Sequence, residues 1–259
     1  EVLTAKTDKD GRMTGESVKN LLKNYQGIFA VVATTGTTNT GVIDDLESIS
    51  KVCKENKLWL HIDGAYGGAG LLAPSVRDLY KGIEEADSFI VDPHKWLFAP
   101  YDCCMLVYRS SKNVYQTFSQ HAEYLDGVDH TEINPSDMAI HLSRRTRGLP
   151  LWYSLVTYGS NKYTDAIETC LANARKCAQA IKDADHLDLV MEPTLSIVVF
   201  KRKGWKKEDY DAWSHKLALE GKILCLPSSI DGETILRLAF LNPKTDIDKA
   251  IEIVVETTK

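Results

Sequence analysis

The chain has 259 residues, of which 44% are hydrophobic and 26% are charged, and this composition excludes a disordered or fibrous protein. Asp and Glu total 36 against 31 Lys and Arg, and the resulting net charge of −5 argues against a nucleic-acid-binding protein. No apolar run approaches the ~20 residues that a membrane-spanning helix requires, and the first residues lack the basic-then-apolar order of a signal peptide.

The first half of the chain alternates helical and strand patterns. The predicted helices cover residues 16–25, 44–56 and 75–86. The predicted strands cover residues 28–34, 58–63, 89–91 and 103–108. Ser75 is a plausible N-cap for the third helix. Strands separated by helices of roughly a dozen residues predict a largely parallel α/β sheet.

The pattern changes twice in the second half. Residues 115–147 are polar and rich in breakers, so we expect a functional or mobile loop there. Residues 150–182 predict one long helix with a kink. The remaining predicted strands are 195–201, 223–226 and 234–241, and the remaining predicted helices are 206–220 and 246–256. We therefore expect two domains, with a boundary near Gly159: residues 1–159, an α/β domain, and residues 160–259, a small α+β domain.

The segment LHIDGAYGGAG (60–70) delivers Asp63 at the carboxyl end of an apolar strand. Ligands of open α/β sheets bind at this edge. The small residues that follow, Gly64, Ala65, Gly67 and Gly68, leave space there for a flat ligand. The alternative is that Asp63 caps a turn and the glycines merely build it.

The segment SFIVDPHKW (88–96) likewise ends an apolar strand, here followed by His94 and Lys95. A lysine desolvated at a strand end is a nucleophilic amine, whereas the alternative is a lysine on a surface turn. An aspartate at one strand end and a lysine 32 residues later, at the next, is the pairing that a pyridoxal phosphate site requires. The lysine forms the Schiff base, and the aspartate pairs with the protonated ring nitrogen.

With these residues in place, the chain resembles a known family. HIDGAYGG (61–68) followed by DSFIVDPHKWL (87–97) resembles the pyridoxal-phosphate-dependent amino acid decarboxylases of the aromatic L-amino acid type, the group II decarboxylases. TTGTTNTGVIDDL (34–46) resembles their preceding βα turn. The resemblance implies the fold type I, aspartate aminotransferase-like architecture. Residues 1–159 would then be the C-terminal part of the large cofactor-binding domain, and residues 160–259 the small domain.

The resemblance also implies roles at the cofactor. Lys95 would be the Schiff-base lysine and Asp63 the partner of the pyridinium nitrogen. Ala65 would lie under the ring, Thr38 near the ring and the substrate carboxylate, and His94 beside the phosphate.

The resemblance also implies a role for Tyr124, and it raises a question about the charge of Asp92. Tyr124, in HAEYLDG, matches the loop tyrosine that protonates the quinonoid carbon after CO2 is lost. Asp92 stands where the animal members carry Asn near the phosphate, and a carboxylate there would repel that group unless it is protonated or turned away. Arg144, Arg145 and Arg147 could bind a carboxylate or phosphate, although structural ion pairing is the more ordinary interpretation.

The function implied by the resemblance is decarboxylation of an L-amino acid, of aromatic type, to the amine and CO2. Two alternatives stay open: aldehyde-forming or lyase chemistry with the same cofactor, and a non-catalytic remnant that serves as an interaction module. Tyr124 argues against the aldehyde-forming type, in which the loop residue tends to be Phe. Retention of Asp63, Lys95 and Tyr124 together argues against a remnant. A metal hydrolase using His61, Asp63 and His94 lacks a further ligand at suitable spacing.

The family's polypeptide is nearly twice this length, and its Ser/Thr-rich phosphate turn and ring-stacking aromatic residue are not found before Thr34. We therefore expect a C-terminal portion whose N-terminal half is on a second chain or removed. The assembly would be a homodimer or a dimer of cleaved pairs that binds a small amino acid and neither nucleic acid nor membrane. Six scattered cysteines indicate a reducing compartment, so we expect a cytoplasmic protein.

Overall fold

The computed structural model describes residues 1–119 and 134–259. The helices are α1 (Gly15–Asn24), α2 (Leu46–Asn56), α3 (Pro93–Trp96), α4 (Ser111–Phe118), α5 (Gly148–Lys182), α6 (Lys207–Leu219) and α7 (Ile247–Thr257). The strands are β1 (Ala30–Thr34), β2 (Trp59–Asp63), β3 (Ser88–Val91), β4 (Met105–Tyr108), β5 (Leu187–Leu189), β6 (Ile197–Arg202), β7 (Pro227–Ile230) and β8 (Glu233–Ala239). None of the helices in these ranges has the length and apolar character that a bilayer crossing requires.

The first sheet has the order β1-β2-β3-β4, and its first three strands are parallel. This agrees with the parallel α/β sheet predicted from the alternation of strands and helices. The fourth strand is antiparallel to β3. The link between β3 and β4 holds the four-residue α3 but no crossover helix, and a parallel return would need one.

The two faces of this sheet have different surroundings. On one face, Val31 and Leu60 pair in register and are buried in the main core, which α2 and part of α5 also line. On the other face, Val32 is 58% exposed and pairs with the half-buried His61, beside the half-buried Trp59. Leu106 of β4, which is 43% exposed, lies on the same side, opposite Ile90. We call this second side, defined by Val32, Trp59, His61 and Leu106, the open face.

The second sheet has the order β5-β6-β8-β7 and is antiparallel throughout. Its even-numbered side chains, such as Val198 and Leu236, join a core shared with α6, α7 and the end of α5. Its odd-numbered side chains, such as Val199 and Ile235, join the main core of the first sheet. The small sheet therefore packs directly against the large one.

Helix α5 is one long element with a kink, as its sequence predicts. Gly159 interrupts the helix with φ 74° and ψ 160°. An added Cβ would meet nothing within 4 Å, so the glycine serves the left-handed backbone conformation and not a close contact.

The predicted helix over 75–86 is wrong. Two short 3₁₀ turns, Arg77–Tyr80 and Ile83–Glu85, occupy this stretch. Gly82 separates them with φ 98°, and its backbone lies so close to α2 that an added Cβ would be 2.7 Å from the Glu47 nitrogen. Ser75 caps no helix, because its backbone N–H and hydroxyl both bond the Glu168 carboxylate.

In the second half of the chain, one predicted strand is wrong and one observed strand was not predicted. The predicted strand over 223–226 is wrong, since β7 begins at Pro227. The three-residue β5 gives too short an apolar pattern to be detected. Within the loop predicted over 115–147, the described residues include the end of α4 and a 3₁₀ turn at Pro135–Met138.

Candidate active site

Neighbouring parallel strands bring the two sequence motifs together. Strands β2 and β3 end at the same edge, with Asp63 in register with Ile90. Just beyond, the Asp92 N–H donates to the Ala65 carbonyl at 3.0 Å. The segment that carries Lys95 is thereby attached to the turn that follows Asp63.

The Asp63 carboxylate has one engaged oxygen and one free oxygen. Oδ1 accepts the Ala65 N–H at 3.0 Å, so the residue does build a turn. No group in residues 1–119 or 134–259 donates to Oδ2, and Asp63 forms no ion pair there. The side chain is half-buried. Asp63 therefore builds a turn, as the alternative interpretation predicts, and also presents a free acceptor at the strand edge.

The glycines after Asp63 do not leave the open space that the sequence predicts. An added Cβ at Gly64 would lie 2.4 Å from the Phe89 ring, and one at Gly67 would lie 2.2 Å from the Thr35 carbonyl oxygen. These glycines are required by the close packing of the chain on itself. Ala65, which the resemblance places under the ring, is half-buried between them.

Lys95 lies in α3, which Pro93 begins. Its Nζ is 2.9 Å from Asp92 Oδ2, and the lysine side chain is 40% exposed. The expectation of a desolvated lysine is therefore wrong for this chain by itself. The next residue, Trp96, is fully buried and stacks on Tyr66 at 5.1 Å between ring centroids. This stacking fixes α3 against the turn that follows Asp63.

His94 and Thr38 have no contact that assigns a role. The His94 Nδ1 lies 3.0 Å from the Cys103 nitrogen and 2.6 Å from its carbonyl oxygen, so its ring is held by the backbone before β4. Thr38 is exposed in the turn after β1, and the described residues make no hydrogen bond to its side chain. Their roles at the phosphate and the ring stay predictions.

Tyr124 lies outside the described residues, so its predicted role in proton transfer stays a prediction.

The cluster of Arg144, Arg145 and Arg147 makes contacts within the chain, which favours a structural role over binding of a carboxylate or phosphate. Arg145 and Arg147 both pair with Asp102, the latter at 3.1 Å. Arg144 donates to the Pro135 carbonyl at 2.9 Å.

The imidazole of His61 is engaged on the open face. Its Nδ1 lies 2.7 Å from the Ser88 hydroxyl, which also accepts the Trp59 indole N–H at 2.9 Å. Burial lowers the pKa of His61, and the Asp63 charge opposes that shift in part. Across the described ranges, His, Cys, Asp and Glu form no group of three or more that could hold a metal ion.

Arg237 is a candidate that the sequence analysis missed. It lies on β8, on the odd-numbered side that faces the large sheet, and its buried Nε has no partner in the described chain. Burial raises the pKa of the Tyr66 phenol, and the positive charge of Arg237 opposes that rise in part. The Tyr66 hydroxyl lies 2.5 Å from the Ser196 hydroxyl, which ties the two sheets together. The signal was present: an arginine interrupts the otherwise apolar strand ILRLAF.

Comparisons with known proteins agree with this geometry. Residues 1–203 match the pyridoxal-dependent decarboxylase conserved domain. The aromatic-L-amino-acid decarboxylase of Bacillus atrophaeus is 29% identical over 99% of this chain and 56% of its own length. The 3,4-dihydroxyphenylacetaldehyde synthase of Aedes aegypti is 35% identical over 94% of this chain and 48% of its own. The crystal structure of Oryza sativa TDC with PLP and tryptamine superposes with a TM-score of 0.88 at 25% identity, covering 96% of this chain and 55% of that one.

The fold is that of the fold type I pyridoxal phosphate enzymes, as the sequence predicts. The chain belongs to the pyridoxal-dependent decarboxylase family, and the predicted resemblance and cofactor are both confirmed. The chain spans about half the length of the curated relatives it matches.

The residues present fit the ring and aldehyde of pyridoxal phosphate. The free Oδ2 of Asp63 can accept an N–H from a cationic ring, and the exposed Lys95 amine can reach an aldehyde carbon. In the described ranges, no arrangement of basic side chains and backbone donors identifies a phosphate site at this edge.

Proposed function

We propose that this chain is the part of a pyridoxal-phosphate-dependent decarboxylase that supplies its lysine and its aspartate, with an aromatic L-amino acid as substrate. The observation that carries the proposal is the meeting of two strand ends, one with the free Asp63 carboxylate oxygen and one with the Lys95 amine. The relative from Bacillus atrophaeus, an aromatic-L-amino-acid decarboxylase, supports the choice of reaction and substrate class.

Each side chain has a definite task in this reaction. When bound, pyridoxal phosphate supplies an electron-accepting ring that stabilises the carbanion left by loss of CO2. Lys95 would hold the group covalently, and the substrate amine would displace it. Asp63 would keep a proton on the ring nitrogen, since a carboxylate ~4 Å from a cation contributes about 4 kcal/mol at an effective dielectric constant of ~20.

Arg237 is suited to a substrate carboxylate. Its buried, unpaired Nε lies on the side of the small sheet that packs against the large one. An unpartnered buried donor on a cation is costly, and a carboxylate ligand is the partner that a guanidinium binds best. We place its role at substrate binding, not at the bond-breaking step.

Covalent labelling tests the assignment of Lys95. Incubation with pyridoxal phosphate, reduction with borohydride and peptide mass spectrometry should place the label on Lys95. Lys95→Ala should abolish both the label and CO2 release, because Lys95 is the lysine that directly follows the end of β3. Lys112→Ala, a change at an exposed lysine of α4, is the matched control and should retain both. A label that persists in Lys95→Ala would refute the cofactor assignment.

A second candidate function is formation of an aldehyde. The relative from Aedes aegypti, at 35% identity, is a 3,4-dihydroxyphenylacetaldehyde synthase. Tyr124 favours the amine product over the aldehyde, as the resemblance implies. Chromatographic separation of the products from one aromatic L-amino acid distinguishes the two: decarboxylation leaves the amine, and the second reaction leaves the aldehyde.

We propose that a further polypeptide segment, in the same protein or on a second chain, covers the open face. Parallel sheets are almost always covered on both sides, and here Val32 and Leu106 are exposed on one side. The length of the relatives leaves room for such a polypeptide. We further expect the assembly to be two-fold symmetric, as a homodimer or a dimer of cleaved pairs.

A further inference from the structure

The carboxylate of Asp92 is turned toward Lys95. The Asp92 side chain is 15% exposed, and its Oδ2 lies 2.9 Å from the Lys95 Nζ, three residues along the chain. In this orientation the carboxylate contacts the amine that is proposed to attack the cofactor. The sequence raises the difficulty of a second negative charge beside a phosphate, and in this structure the Asp92 charge is paired with the Lys95 ammonium.

The surroundings of Asp92 include two thiols and a backbone anchor. Desolvation and the nearby Asp92 carboxylate raise the pKa of the Cys104 thiol to about 11, so this thiol, just before β4, stays protonated at neutral pH. The titratable groups that face Asp92 are the Lys95 ammonium and the thiols of Cys103 and Cys104. The Asp92 N–H, bound to the Ala65 carbonyl, fixes the backbone.

We propose that Asp92 is the general base that removes protons from Lys95 during covalent attachment of the cofactor. The inference rests on the proposed function, because it concerns the same lysine. An ammonium has no lone pair, so Lys95 must lose a proton before it attacks an aldehyde carbon. A carboxylate in hydrogen-bond contact with that ammonium is placed to take it.

The step balances without any further reactant. Lys95 as R–NH3⁺ and an aldehyde R′–CHO give R–NH⁺=CHR′ and water. A carbon–nitrogen double bond forms as the carbon–oxygen double bond breaks, and the oxygen leaves as water with two protons that began on nitrogen. Asp92 carries these protons one at a time and ends ionised, as it began.

The rate of attachment tests this role without reference to turnover. Wild type, Asp92→Asn and Asp92→Glu are mixed with pyridoxal phosphate, quenched with borohydride at intervals, and assayed for label on Lys95 by mass spectrometry. At pH 7, Asp92→Asn should attach about a hundredfold more slowly, the low end for a general base, because the Lys95 side chain is 40% exposed and water can also take its proton. Asp92→Glu should recover part of the rate. The difference should shrink toward pH 9.5, where hydroxide frees the amine; a structural defect would persist at every pH.

Equal rates for wild type and Asp92→Asn at pH 7 would overturn the role of Asp92. The same assay with formaldehyde separates this outcome from failure of the proposed function: if wild-type Lys95 shows no preference for pyridoxal phosphate over formaldehyde, the cofactor assignment fails, whatever Asp92 does.

Discussion

A single unpaired carboxylate oxygen is the feature of Asp63 on which the proposed chemistry depends. The carboxylates of many strand-end aspartates accept hydrogen bonds from the turns that follow them, and Asp63 Oδ1 accepts the Ala65 N–H in this way. The second oxygen keeps its capacity for a cationic partner. The physical consequence is that charge, and not shape, is what this side chain adds to the site.

Asp63→Asn therefore should fold normally and react slowly. The change is nearly isosteric and keeps an acceptor for Ala65, but it removes about 4 kcal/mol of attraction for a protonated ring, which corresponds to a fall in the CO2-release rate of about a thousandfold. Asp87→Asn is the matched control, because Asp87 accepts the Leu60 N–H at 2.8 Å from the opposite end of these strands. Rates for Asp63→Asn within tenfold of the control would contradict the argument.

At the scale of single residues, the sequence identifies a candidate site residue when the position of that residue along a strand decides its surroundings. Asp63 and Lys95 are identifiable because each follows an apolar run, and parallel neighbours end at one edge. The Asp92–Lys95 pair is not identifiable, because it depends on rotamers within one turn of helix. For Arg237 the sequence shows an arginine within an apolar strand, but it does not show that the buried Nε lacks a partner, because this depends on how the two sheets pack together.

At the scale of secondary-structure elements, close packing of backbone against backbone determines the conformation of the turn after β2. Tyr66 and Trp96 stack at 5.1 Å, and Gly67 passes against the Thr35 carbonyl. Any Cβ at Gly67 would also lie 2.7 Å from Leu195, which belongs to the approach to β6. The turn is thus held between the large and the small sheets.

Gly67→Ala should destabilise the chain by about 2 kcal/mol or more, because backbone atoms cannot move aside as a flexible side chain can. Gly148→Ala is the control: Gly148 begins α5, and an added Cβ there meets nothing within 4 Å. Its effect should stay within about 0.5 kcal/mol. Urea unfolding followed by circular dichroism measures both, and equal midpoints for the two variants would show that the turn has room to relax.

The same kind of contact explains the failed helix over 75–86. Its apolar spacing is helical, but Gly82 must approach α2 with a positive φ, and this long-range contact has no local signal. Elements with strong periodicity and no such constraint, α1, α2, α6 and α7, lie within two residues of the predicted bounds. Local pattern therefore predicts elements well until tertiary packing imposes a different backbone conformation.

At the scale of the whole molecule, the unequal faces of the large sheet distinguish this chain from a self-sufficient domain. One face is buried under α2 and α5, while Val32 is 58% exposed and Leu106 43% exposed on the other. His61 and Trp59 share the Ser88 hydroxyl on this side, which satisfies their polar groups without covering the rings. Exposed apolar side chains on one face of a sheet are typical of an interface.

Removing the apolar character of the open face should therefore change how the chain associates. Isolated, the wild-type chain should self-associate at micromolar concentration and bind a hydrophobic dye such as ANS, because the face has no cover. The double variant Val32→Lys/Leu106→Lys should sediment as a 28.9 kDa monomer and bind less dye. Leu219→Lys, at a 76% exposed position on α6, should behave as wild type. A wild-type chain that sediments as a dye-free monomer and carries bound cofactor would mean that the open face needs no partner.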